Sequence, residues 1–225
     1  MSERILFVDD EELVLRGASR LLADMFAIET VTSAEQGLAA IRQRGPYAAV
    51  VSDMRMPGMS GAAFLQQVGE LAPFTSRLIL TGHVDLQSLI EAVNVGQIFR
   101  LLCKPCPVAV MRDALTAAIR RYRLLRSESL RLEQALSGSV RALSEVLAVV
   151  NPTAYHRAAR ICKLAILLAE KVGAKNMREI ERAATLSQIG CVAVPEAVLI
   201  AAAKGVERLK PADEEALAQH PATAA

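Results

Sequence analysis

This sequence predicts an α/β fold: a doubly wound parallel five-stranded sheet, followed by a long linker helix and a small all-α domain. Apolar runs alternate with helical patterns up to about Pro107. Four of those runs end in polar groups: Ile5-Leu6-Phe7-Val8 in Asp9-Asp10, Ala49-Val50-Val51-Ser52 in Asp53, Leu78-Ile79-Leu80 in Thr81, and Phe99-Arg100-Leu101-Leu102-Cys103 in Lys104. Beyond Pro107 no strand signal returns.

The strands centre on Leu6, Glu29, Val50, Ile79 and Leu101. Helical patterns follow at Glu12 to Met25, Ser33 to Gln43, Gly61 to Glu70, Asp85 to Val95 and from Pro107 onward. Ser33 precedes Glu35 and Gln36 and suits an N-cap, and Pro107 is preset for a first helical turn. Tyr122, Ser129, Leu136, Leu143 and Val150 then recur every seven residues, with Leu125, Leu132, Ser139 and Val146 three positions after the first four. This is the a/d seam of a coiled coil, weakened by serines and by Gly138. It predicts a homodimer, or else packing on the chain's own C-terminal part. Asn151-Pro152 breaks the helix and restarts one at Thr153. Helices are expected over Tyr155 to Lys171, Met177 to Gln188, Pro195 to Ala203 and Pro211 to Gln219, punctuated by Gly173, Gly190 and Gly205. Ile161, Leu164, Ala165 and Leu168 form an expected apolar face. The divisions are 1–122 for the α/β domain, 123–150 for the linker helix and 151–225 for the helical domain.

Ligands and chemistry sit at the carboxyl edge of an open parallel sheet. Three carboxylates, a hydroxyl and an ammonium would converge there. Close carboxylates repel unless a cation shares the charge, and an all-oxygen set suits Mg2+, which takes one or two carboxylates and a phosphate. The set reads as a magnesium-assisted phosphoryl site. Asp53, alone at its strand end before the Pro57-Gly58 turn, is the expected nucleophile. Asp9 and Asp10, with Asp53, would hold the metal. Lys104 would neutralise one phosphoryl oxygen and Thr81 would hydrogen-bond another.

With Met56-Pro57-Gly58-Met59-Ser60-Gly61 and Lys104-Pro105, these residues closely resemble the receiver domain of bacterial two-component response regulators, over about half of the chain. The resemblance implies a flavodoxin-like fold, phosphorylation of Asp53 by a histidine kinase and a switch transmitted through Thr81. Receivers commonly carry an aromatic residue three positions before the lysine. Here Leu101 stands there, with Phe99 two residues away and so on the same strand face.

The formal net charge of +2 is too small to imply nucleic acid. Arg120, Arg121, Arg123, Arg126 and Arg131 read as a solvated helix face. No apolar segment reaches the ~20 residues that span a bilayer, and Met1-Ser2-Glu3-Arg4 leads straight into a strand, so a cytoplasmic protein is expected. Cys103-Lys104-Pro105-Cys106 has redox-motif spacing, but Lys104 and Pro105 already have a role; with Cys162 and Cys191 isolated, the four cysteines read as incidental thiols.

Residues from about Leu143 to Ala224 resemble the beginning of a metal-dependent HD phosphohydrolase domain of the HD-GYP kind. The carrying residues are Tyr155-His156-Arg157, Leu186-Ser187-Gln188-Ile189-Gly190-Cys191, Val194-Pro195-Glu196 and His220-Pro221. The family's His-Asp metal pair falls on Ser187 and Gln188, and its lysine on Cys191. Hydroxyl and amide supply no charge to offset metal dehydration, and His156 and His220 do not complete a site that usually needs three protein ligands. His156 is expected to be packed. The expected output is non-catalytic; the alternative is a truncated HD-type cyclic-di-GMP phosphodiesterase.

Overall fold

The computed structural model describes residues 3–82, 98–203 and 210–223; the expected helix over Asp85 to Val95 and the expected stop at Gly205 lie outside them. Strands β1 (Arg4–Val8), β2 (Ala27–Val31), β3 (Ala49–Asp53), β4 (Ser76–Thr81) and β5 (Arg100–Cys103) form one sheet in the order β2-β1-β3-β4-β5. Every pairing is parallel. Strands β3 and β4 are buried throughout, which is why Ala49-Val50-Val51 and Leu78-Ile79-Leu80 run as consecutive apolar residues rather than alternating.

Side chains of a strand point alternately to its two faces. Leu6, Val8, Val50 and Ile79 pack on one face with Leu38 and Ile41 of helix α2 (Ala34–Arg44) and Phe64, Leu65 and Val68 of α3 (Gly61–Leu71). Ile5, Phe7, Val51, Leu78 and Leu80 pack on the other with Leu15 and Leu22 of α1 (Glu12–Leu22) and Met111, Ala114, Leu115 and Ala118 of a long helix, Val108–Val150. Ser33 caps α2, its hydroxyl accepting the Gln36 N–H at 3.2 Å. Pro107 stands one position before the long helix rather than in its first turn, and its carbonyl accepts the Met111 N–H at 3.1 Å.

The long helix is fastened to the sheet by polar groups. The Ser76 hydroxyl donates to the Ala118 carbonyl at 2.8 Å. Arg121 and Arg126 lie over the rings of Phe99 and Tyr122, and Arg123 grips Glu3 through two hydrogen bonds of 2.5 and 2.6 Å. So two of the five clustered arginines, Arg121 and Arg123, fasten the helix, whereas Arg126 covers Tyr122 of its own helix and stays exposed. The Arg123 bond holds the Glu3 carboxyl at about 2, below its ordinary 4.5. A depressed folded-state value stabilises fully above the ordinary one and is lost as pH falls through the folded one. Glu3→Gln should therefore lower the urea midpoint at neutral pH and converge with the parent as pH falls from 4.5 to about 2. Because Arg123 is 63% exposed, the difference at neutral pH should stay below about 1 kcal/mol.

The chain divides into two compact units, Met1–Ser129 and Leu130–Ala225. In the second, helices Pro152–Lys171, Met177–Leu186, Glu196–Ala203 and Pro211–Thr223 and a 3-10 turn at Ile189–Ala193 follow the end of the long helix. Leu147, Ala154, Cys191, Val194, Val198 and Leu199 form its core. Asn151 does more than break the helix. Its buried amide donates to the carbonyls of Cys191 and Val194, both at 3.1 Å, and its oxygen caps Ala154. The expected apolar face is corrected in part: Ile161 and Ala165 are half-buried, but Leu164 and Leu168 are 60% and 64% exposed, and the buried stripe is Ala154, Ala158 and Ala169. At about 100° per residue Leu168 and Leu164 lie roughly 75° and 115° round the helix from the centre of that stripe. Along the heptad seam Tyr122 is buried, whereas Leu132, Leu136, Leu143, Val146 and Val150 are exposed. Among the described residues no single helix is long and apolar enough to cross a membrane.

Candidate functional site

The sheet register explains why the polar strand ends meet. Val8 pairs with Ser52, Asp53 with Leu80, and Thr81 with Cys103. Asp9, Asp53, Thr81 and Lys104 therefore emerge along one edge. The Lys104 ammonium lies 2.7 Å from Asp9 Oδ2 and 2.7 Å from Asp53 Oδ1. The remaining oxygens bond to backbone: Asp9 Oδ1 accepts the Glu11 N–H at 3.0 Å, and Asp53 Oδ2 accepts the Arg55 N–H at 2.6 Å. The Lys104 N–H donates to the Thr81 carbonyl at 2.7 Å, tying the ends of β4 and β5 together.

Both carboxylates and Thr81 are buried. Burial by itself would push the Lys104 ammonium down, but the hydrogen bonds it donates to Asp53 and Asp9 outweigh it, so its pKa is raised. The lysine stays charged and neutralises two buried carboxylates that would otherwise repel. Its stem borders an apolar cleft of about 290 Å3 lined by Phe7, Val14, Leu21, Leu80 and Met111, which suits a long side chain with a polar tip.

Of the expected site residues, the structure joins Asp9, Asp53 and Lys104 directly and places Thr81 at the neighbouring strand end. Asp10 is exposed at the turn after β1. Among the described residues no group of three or more His, Cys, Asp or Glu side chains stands close enough to hold a metal. The donor chemistry nevertheless fits Mg2+: carboxylate oxygens from Asp9 and Asp53 converge on one cation position, now taken by an ammonium, and Mg2+ needs one or two such carboxylates with waters completing its shell.

The sequence offers Gly61 as a motif residue and helix start but not its packing role. Gly61 packs so closely on the end of β3 that a Cβ there would stand 1.9 Å from the Asp53 carbonyl oxygen and 3.0 Å from Ser52 Oγ. Its N–H donates to the Met54 carbonyl at 3.0 Å, closing the loop that carries Asp53. The Pro57-Gly58 turn takes a φ of +80° at Gly58, a conformation that favours glycine.

The expectation that Phe99 shares the face of Leu101 is corrected. Leu101 packs with the α2/α3 side of the sheet, Phe99 with the α1 side, where Arg121 covers its ring. Phe99 precedes β5, so the two-residue period of a strand does not reach it. His156 is exposed rather than packed, its ring edge-on to Tyr155 with centroids 5.6 Å apart. Ser187 and Gln188 turn onto backbone: the Ser187 hydroxyl donates to the Ala184 carbonyl at 2.7 Å, and the buried Gln188 amide donates to the Ser187 carbonyl at 3.0 Å.

A parallel five-stranded sheet carrying two buried carboxylates and a lysine at its carboxyl edge defines a flavodoxin-like α/β signalling domain. Residues 5–116 match the response regulator receiver domain, and the chain belongs to that family. A solved relative, the signal receiver domain of an HD domain-containing protein from Pseudomonas fluorescens Pf-5, is 30% identical over 55% of this chain and 98% of that one, with a TM-score of 0.53. A structure described as adenylate cyclase from Rhodopirellula baltica is 39% identical over 59% of this chain and 98% of that one, with a TM-score of 0.56. The hydrogenase transcriptional regulatory protein HoxA of Cupriavidus necator is 32% identical over 115 residues, 51% of this chain and 24% of HoxA. The chain thus spans about a quarter of that regulator's length.

Proposed function

We propose that this protein is a two-component response regulator in which Asp53 accepts a phosphoryl group from a partner histidine kinase in the cytoplasm. The observation that carries the reading is the Lys104 ammonium at 2.7 Å from both Asp53 and Asp9. In the transfer, an Asp53 carboxylate oxygen forms the new bond to phosphorus as the bond from phosphorus to the donor breaks, leaving an acyl phosphate. Lys104, already directed at that carboxylate, neutralises a phosphoryl oxygen, and the Thr81 hydroxyl offers a hydrogen bond to another. Mg2+, when bound, offsets the negative charge gathered at the site; Asp9, Asp10 and Asp53 would hold it. Labelling the full chain with a small acyl phosphate and Mg2+, then mapping the modified peptide by mass, tests the assignment; a label elsewhere than Asp53 would refute it.

The roles of lysine and metal ligands separate in Lys104→Ala. Removing the ammonium takes a positive charge away from two carboxylates, so Mg2+ affinity should hold or rise. Signalling in response to phosphorylation should be weakened, because only the Thr81 hydroxyl then remains to read the phosphoryl oxygens. A Mg2+ titration of the variant checks this, and a large fall in affinity would contradict it.

The helical part is proposed to be a degenerate HD-like output without phosphodiesterase activity. Two observations favour this over an HD-type cyclic-di-GMP phosphodiesterase: Ser187 and Gln188 bond to backbone, and His156 has no His, Cys, Asp or Glu cluster around it among the described residues. The Pseudomonas receiver's origin in an HD domain-containing protein supports the kinship. Purified protein should leave a cyclic dinucleotide intact; stoichiometric transition metal together with turnover would establish the phosphodiesterase instead. The exposed stripe of Leu132, Leu136, Leu143, Val146 and Val150 supports a coiled-coil homodimer as the element the receiver controls, with no role for nucleic acid or membrane.

A further inference from the structure

Between residues 137–148 of the long helix and the helix Met177–Leu186 lies a cleft of about 560 Å3, within the size range of small-molecule sites. Both walls belong to the second compact unit. They are joined by polar rungs rather than interlocking apolar side chains: Arg178 pairs with Glu133, and one turn further along both helices Arg182 reaches the Ser137 hydroxyl.

Three arginines line the cleft, Arg141, Arg178 and Arg182, together with the carboxylates of Glu145 and Glu181. Arg141 is taken by Glu145 at 2.9 Å, and Arg178 by Glu133. Arg182 differs from them. It is half-buried, its bond to Ser137 is 3.4 Å long, and no described carboxylate forms an ion pair with it. A guanidinium turned into a cleft with most of its donor fork uncommitted matches the geometry of a phosphate group, which takes two parallel N–H bonds. The flanking pairs of Arg141 and Arg178 are exposed and weak, so a dianion can draw either arginine toward itself. The Ser144 hydroxyl lines the same cleft, and the half-buried Tyr155 ring adds an aromatic surface.

We propose that this cleft binds a phosphate monoester with a flat aromatic body, of the nucleoside monophosphate kind, its phosphate on Arg182 and its ring system against Tyr155. Because one wall is the helix that carries the heptad seam, an occupied cleft would hold that helix against the rest of the helical unit.

The test uses the full chain without Mg2+, titrated calorimetrically with AMP, inorganic phosphate and adenosine at matched ionic strength. AMP should bind saturably and more tightly than phosphate, and adenosine should not bind. Arg182→Gln should weaken AMP by at least about tenfold, or 1.4 kcal/mol, with Arg182→Lys in between because it keeps charge but not the fork. Arg131→Gln, outside the cleft lining, should leave affinity unchanged, and acyl-phosphate labelling of Asp53 should be the same in all variants. Absence of saturable AMP binding, equal affinity for AMP and phosphate, or equal losses in Arg182→Gln and Arg131→Gln would each overturn the proposal. Matching melting temperatures of the variants keep the comparison free of folding defects.

Discussion

Asp53→Asn should abolish Mg2+-dependent phosphoryl labelling, to roughly a thousandth or less of the parent rate, the scale on which loss of a reacting group acts. The substitution keeps the shape of the side chain but replaces an anionic oxygen with a neutral amide, which cannot displace a leaving group from phosphorus at useful rates. The fold should survive it. Lys104 keeps Asp9 at 2.7 Å, and an amide oxygen in place of the carboxylate can still accept the Arg55 N–H that Asp53 accepts. Intact-mass measurement after incubation with an acyl phosphate reads the label, and a melting curve reads the fold. Undiminished labelling in a folded variant would move the acceptor elsewhere.

Gly61→Ala should cost about 1–3 kcal/mol, the range in which overpacking a closed site falls. The added Cβ meets a backbone oxygen, that of Asp53, at 1.9 Å, and neither side can rotate out of the way as the tip of a long side chain could. The end of β3 or the start of α3 must shift, and either movement carries Asp53 with it. Labelling should therefore fall together with stability. Gly138→Ala is the matching control. Nothing lies within 4 Å of the added atom, and an alanine in the interior of a helix should stabilise by up to about 1 kcal/mol. Urea midpoints of the two variants, moving in opposite directions, check both. A Gly61→Ala midpoint equal to the parent's would show that the loop relaxes freely.

Much of the receiver half was legible in the sequence because its signals are local. A buried parallel strand carries a run of consecutive apolar residues, so Ile5 to Val8 and Ala49 to Val51 announce themselves, and polar residues that close such a run lie toward the sheet edge. Caps are local too, and Ser33 lies where its spacing to Gln36 put it. The helical half was harder to read. Its helices carry apolar residues on more than one face, and the leucine-rich face of Pro152–Lys171 turned out to be the exposed one, because the alanines face the core.

Sequence by itself determined the sheet's strands, the three residues Asp9, Asp53 and Lys104 that meet at its carboxyl edge, and the break at Asn151. Each is marked by a few neighbouring residues, an apolar run closed by a polar group or a proline after a capping asparagine, and the parallel order of the strands then brings their ends to one edge. Tertiary structure alone decided the rest. It decided that Gly61 must lack a side chain, since the Asp53 carbonyl closes on it from another element. It decided that Phe99 faces away from Leu101, since the chain bends before β5 begins. It also decided that Arg121 and Arg123 fasten the long helix through Phe99 and Glu3. In each case the partner is distant in sequence or across a bend, and a contact of that kind depends on how whole elements stack, which no local pattern of residues encodes.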